Sequence, residues 1–139
     1  MRRLRRSERG FLAVEYAFGV AVILIPIGLL VITAPLWPEH QEVARVAASE
    51  AARNGVQQTT LGAAESAGNA AARQVILNFG LTPADFTVTW SGDVTRGNAL
   101  TAHVRVRMPA LQLPAVASVG AWYWNVSHTE AVDQYRSYP

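Results

Sequence analysis

Cysteine is absent from the 139 residues, which excludes a disulfide framework, a thiolate nucleophile and any cysteine-ligated zinc or iron–sulfur centre. Lysine is absent too, so all 12 basic residues are arginine. Charge is scarce: 16% of residues are charged, against about 25% in typical soluble chains. The deficit is concentrated in residues 11–38, where Glu15 is the only charge. Also missing are a Gly-x-Ser-x-Gly elbow, a Walker loop and a His-x-x-x-His pair. The length excludes two ordinary globular domains and allows one small domain joined to a membrane segment.

The sequence pI of about 9.5 suggests a basic protein, but the basic residues are clustered. Arg2, Arg3, Arg5, Arg6 and Arg9 stand against Glu8 in the first ten residues, a local balance of +4. The rest of the chain has seven Arg and nine Asp or Glu, a balance of −2. A basic footprint for nucleic acid on the folded part is therefore unsupported, and no nucleic-acid partner is expected.

From Tyr16 to Pro38 no charge occurs and Val, Ile, Leu, Ala and Gly dominate. At ~1.5 Å per helical residue the run reaches about 34 Å, enough for a hydrocarbon core of roughly 30 Å. A buried core helix rarely runs so long without a polar face, and a cleaved secretory signal has a shorter apolar region. The run reads as a membrane-spanning helix. Five Arg precede it, whereas Glu39 and Glu42 follow before Arg45, so the positive-inside rule puts the N-terminus in the cytoplasm. Pro26 is expected to kink the span, and Trp37–Pro38 to mark its outer interface.

A carboxylate one turn inside an apolar helix is costly and points to function; the plainer reading is a headgroup-level Glu that snorkels. The neighbourhood favours function. An Arg-rich leader ends in Gly10, followed by Phe11-Leu12-Ala13-Val14-Glu15-Tyr16. Glycine beside a scissile bond gives a peptidase unhindered backbone. Cutting there would create an ammonium at Phe11, one helical turn from Glu15.

This string resembles the prepilin cleavage motif, and its Glu-Tyr pair is the form typical of Flp pilins of tight-adherence (Tad) systems. The resemblance implies that Gly10 is the last leader residue, Phe11 the new N-terminus, and Glu15–Tyr16 the assembly and processing pair. Type II and type IVa pseudopilins share Gly-Phe-x-x-x-Glu; Tyr16 and the short leader favour Tad. Major Flp pilins end soon after their helix, whereas this chain continues, so it looks like a TadE-type minor pilin or pseudopilin. Ala48-Ser49-Glu50-Ala51-Ala52-Arg53-Asn54-Gly55 and Val132-Asp133-Gln134-Tyr135-Arg136-Ser137 are similar to stretches of such proteins. The implied partners are a prepilin peptidase, other pilins, the Tad assembly platform and the lipid bilayer.

The expected organisation is a leader at 1–10, a transmembrane helix at 11–38, an extracytoplasmic helical region at 39–80 and a small β-rich region at 81–139. Within 39–54, Val43, Val46, Ala47, Ala51 and Ala52 form a small-residue face, read as a packing surface for other pilin helices. Asn54-Gly55 supplies a left-handed stop. A second helix begins near Thr60 and ends at Gly80–Pro83. Its face of Leu61, Ala64, Gly68, Ala71, Ala72, Val75, Ile76 and Phe79 is read as intramolecular packing. The period then changes to two: Phe86, Val88 and Trp90 form one strand, and Leu100, Ala102, Val104, Val106 and Met108 a second that Pro109 ends. After a loop, Trp122–Thr129 forms a third. The fold class is α+β: a long N-terminal helix extended beyond the membrane, and a second helix packed on a three-stranded antiparallel sheet.

His40, His103 and His128 fall in different elements, so neither a metal site nor a cofactor is expected. Ser127, His128 and Asp133 could be grouped, but nothing selects them over chance. Asn125-Val126-Ser127 matches a glycosylation sequon that a strand position makes accidental. Trp122, Tyr123 and Trp124 are assigned to the core rather than to an adhesive patch. No enzymatic role is expected. The leading expectation is a processed minor pilin that helps assemble a Tad/Flp-type pilus for adhesion, residing in the cytoplasmic membrane as a single-pass protein and, after cleavage, at the cell surface. The alternative is an uncleaved single-pass protein whose outer domain binds a ligand or senses.

Overall fold

The computed structural model of the chain describes residues 5–113 and 117–135. Three helices precede three strands: α1 (Arg5–Thr33), α2 (Leu36–Gly55), α3 (Leu61–Asn78), then β1 (Phe86–Gly92), β2 (Ala99–Leu113) and β3 (Ala117–Ala131). The class is α+β, with a sheet of order β1-β2-β3 and antiparallel pairing throughout.

The helix runs through Pro26 and breaks only at Ala34–Pro35, earlier than the Pro38 boundary expected from charge. Pro35 has no N–H to give and starts α2 with helical φ −63° and ψ −22°. The Thr33 hydroxyl donates to Leu29 O at 2.8 Å, which satisfies the one polar side chain buried at the break. Because the helical sense survives, Ala13 to Gly55 forms a nearly continuous rod. Trp37 secures its second half to the sheet: its Nε1 donates to Pro109 O at 3.0 Å, and its ring meets Trp122 edge-on at 5.5 Å. Trp37→Phe keeps an aromatic ring and loses that hydrogen bond, so the module of α2, α3 and the sheet should lose about 1 kcal/mol, read from thermal unfolding in detergent.

The small-residue face of α2 is consumed within the chain. Val43, Ala44, Ala47, Ala48, Ala51 and Ala52 are fully buried, in one core with Ala72 and Ile76 of α3, Phe86 of β1 and Ala102, Val104, Val106 and Met108 of β2. This corrects the expectation that the face serves other pilin helices. α2 is sandwiched between the sheet and α3, and alanine is what a helix between two layers has room for. α2 therefore rests on the sheet along its length, while α3 joins through its buried stripe of Ala64, Gly68, Ala72 and Ile76.

Local signals account for the limits of α3. Thr60 caps its start by accepting from Ala63 N at 3.3 Å. At its end Gly80 takes φ +72°, a left-handed turn that closes with Leu81 N donating to Ile76 O at 3.1 Å. Gly55 behaves differently from the expected stop. α2 does end at Gly55, but without positive φ, and a Cβ there would stand 2.7 Å from Leu100 Cδ2. Its smallness is needed for packing, not for a turn.

The alternation in β1 and β2 holds, with Ala102, Val104, Val106 and Met108 buried and His103, Arg105 and Arg107 exposed. Pro109 does not end β2. It pairs with Ala121 of β3 and falls where β2 has outrun β1, whose pairing stops at Phe86 with Val106, so no β1 carbonyl awaits the missing N–H. Much of the expected loop before Trp122 is instead paired backbone, Leu111 with Val119 and Leu113 with Ala117, while its residues 114–116 lie outside the described residues. Between β1 and β2, Asp93 accepts from the Thr95 hydroxyl and from Val94 N at 2.7 Å, which holds its carboxyl below the ordinary carboxylate range. That turn is therefore stabilised above the unfolded carboxyl pKa and loses this contribution as pH falls through the lower folded value.

Candidate functional site

α1 carries the residues the sequence singles out. Gly10 and Phe11 lie within its helical backbone, and Glu15 and Tyr16 are exposed on it. From Ala13 on, most of its apolar side chains are exposed, as with Val14 at 69%, Phe18 at 71%, Ile25 at 61% and Val31 at 65% exposure. The core helix of a soluble protein would be mostly buried; the most apolar stretch here has a mean hydropathy of 2.6 and is 6% buried. The helix is long and apolar enough to cross a membrane.

The local chemistry at Gly10 follows from the helix. Glycine costs about 1 kcal/mol against alanine in a helix interior, so the backbone opens more readily at Gly10 than it would at an alanine. A cut after Gly10 would convert the Phe11 amide nitrogen into an ammonium at a fresh helix N-terminus. Glu15, one turn on, suits the positive end of that helix as well as the new charge.

The structure separates the other candidates. His40 bonds Leu36 O through Nδ1 at 2.8 Å and stacks on Phe86, so it is structural. His128 Nε2 meets Glu130 Oε1 at 3.2 Å, and Glu130 in turn meets Arg53 of α2 at 3.5 Å. By strand alternation His128 is on the helix-facing side of β3 and Ser127 on the other, so the Ser127–His128–Asp133 grouping does not form. Among the described residues no group of three or more His, Cys, Asp or Glu could hold a metal. Ser91 Oγ lies 2.8 Å from His103 Nε2, a diagonal cross-strand pair that the separate strand assignments did not join. Among the described residues no carboxylate holds the other ring nitrogen, so the pair lacks the third member of a triad.

The aromatic cluster divides, which corrects its assignment to the core. Trp124 packs against the core, Trp122 is 42% exposed beside Trp37, and Tyr123 is 51% exposed on the outer face under the Arg105 guanidinium, 3.9 Å from the ring centroid. A cavity of about 310 Å³ opens near the start of α2, lined by Leu36, His40, Leu81, Asp85, Arg107 and Pro109. Arg107 and Asp85 approach to 3.8 Å across it.

Compared with known protein families, curated proteins and solved structures, the chain matches none.

Proposed function

We propose that the chain is a TadE-like minor pilin of a Tad/Flp-type system. A prepilin peptidase cuts it after Gly10, and it takes part in assembling a pilus for adhesion or surface attachment. α1 spans the cytoplasmic membrane with the N-terminus in the cytoplasm and the α2–β3 module outside, and the role is structural rather than enzymatic. The observation that carries this reading is the Gly10-Phe11 step followed by Glu15-Tyr16 at the head of a bare apolar helix behind five arginines. With the α2 face already buried, the surface left to meet other pilin helices is α1 itself. Terminal sequencing of membrane-extracted protein should begin at Phe11. A chain beginning at Met1 would instead support the uncleaved single-pass reading.

Glu15 should matter for assembly more than for insertion. One acidic residue near a helix end costs at most about 3 kcal/mol on insertion scales, and the apolar residues after it outweigh that. Glu15→Leu should therefore reach the membrane in wild-type amounts and still be cut. It leaves the Phe11 ammonium without a partner in lipid or among helices, so recovery with partner pilins should fall several-fold. Glu15→Lys should be worse, because repulsion is added. Crosslinking yields equal to wild type would return Glu15 to a headgroup-level bystander.

A further inference from the structure

We infer that the paired stretch of β2 and β3 from Pro109–Ala121 to Leu113–Ala117 sits in the outer headgroup layer of the bilayer, a second lipid contact beside α1 with Trp37 and Trp122 at its rim. The inference rests on the reading that α1 spans the membrane.

The direction of β2 follows from two fixed points. Leu100 lies against Gly55 at the end of α2, and Pro109 is bonded to Trp37 at its start. Between those points α2 rises about 27 Å at 1.5 Å per residue, and β2 covers about 30 Å at 3.3 Å per residue. The strand therefore runs antiparallel to α2 along the same axis. Past Pro109 it continues toward α1, which it touches. From Pro109 to Leu113 it advances about 13 Å, enough to bring it from the wet side into a headgroup layer of roughly 5–7 Å.

Charge stops at the same level on each element. Glu39 on α2, Asp85 before β1 and Arg107 on β2 are the charges nearest the break; α1 then has none back to Glu15, and the hairpin has none between Arg107 and Glu130. Trp37 and the exposed Trp122 meet at this boundary, where amphipathic aromatic rings prefer to lie. Tyr123, on the outer face beside Arg105 and Arg107, marks the wet side. Beyond Val106, β2 has an unpaired edge, whose open N–H and C=O groups are costly in hydrocarbon. The paired stretch from Pro109 to Leu113 is therefore interfacial and does not cross.

The absence of cysteine permits single-cysteine spin labels on the full chain in phosphatidylcholine/phosphatidylglycerol nanodiscs. Labels at Ala110→Cys and Ala121→Cys should show several-fold lower accessibility to a water-soluble nickel relaxant than one at Ser127→Cys. Their values should lie between that of Ser127→Cys and that of Ile25→Cys in the span. Accessibility at 110 and 121 equal to that at 127, with 25 still lipid-like, would overturn the inference and leave the span intact. An aqueous label at 25 would remove the span reading and the inference together. Protection at 121 with dipolar broadening that disappears on dilution by unlabelled chain would assign the surface to a second copy and overturn it. As a check that needs no label, brominated phosphatidylcholine should quench native tryptophan emission, and Trp122→Phe should reduce the quenched share. An unchanged share would count against the inference.

Discussion

Gly68→Val should unfold the module outside the proposed span. A Cβ at Gly68 would run into the indole of Trp90 and stand 2.8 Å from the backbone oxygen of Ala51. The ring could be displaced, but only by breaking the bond from Trp90 Nε1 to Asn69 Oδ1, 3.1 Å long, and the Ala51 oxygen belongs to α2 itself. Overpacking typically costs about 1–3 kcal/mol, and a contact with backbone on a second helix belongs at the upper end. The core has little reserve against this, since most of its helical side is alanine. Thermal unfolding in detergent, followed by tryptophan emission, should show the loss of a cooperative transition. Gly62→Ala is the control: nothing lies within 4 Å of its Cβ, so the higher helix propensity of alanine should leave the module unchanged or up to about 1 kcal/mol more stable. Equal destabilisation by the two changes would refute the close-packing account.

The elements that the sequence reveals are those specified locally. Thr60 and Gly80 bracket α3 because a hydroxyl acceptor and a left-handed turn act within a few residues of where they stand. The alternation from Leu100 to Met108 is legible because the strand covers a core on one face only. What was misread depends on neighbours distant in sequence. Pro109 is a strand breaker until the pairing of β1 with β2 is known to stop at Phe86 and Val106. Gly55 resembles a left-handed stop until Leu100 is seen against it, although the helix does end there. The alanines of α2 fit a partner helix as well as their own sheet, since periodicity reports that a face is covered and not by what. Trp122, Tyr123 and Trp124 diverge because adjacent strand residues point to opposite faces, and because Trp122 lies where the core gives out beside Trp37. At the N-terminus the apolar helix is legible from composition, whereas the roles proposed for Gly10 and Glu15 rest on the chemistry of a cut after Gly10.

Gly10→Val should leave the precursor uncut. A β-branched side chain beside the scissile bond crowds the extended backbone that a peptidase must bind, and the helix it joins is no longer weakened at that point. Membrane insertion should be unaffected, because the apolar run begins after this residue. The expected result is full accumulation of the longer chain at wild-type abundance, with recovery in pili reduced to background. Gly10→Ala should be cut slowly. Normal processing of the valine variant would mean that the bond after Gly10 is not the one used.

The intact mass of the wild-type protein extracted from membranes tests the central proposal most directly. The account predicts a species lighter than 15.1 kDa by the mass of residues 1–10, with Phe11 at its N-terminus. Recovery of the full 15.1 kDa chain from cells with an active prepilin peptidase would contradict it.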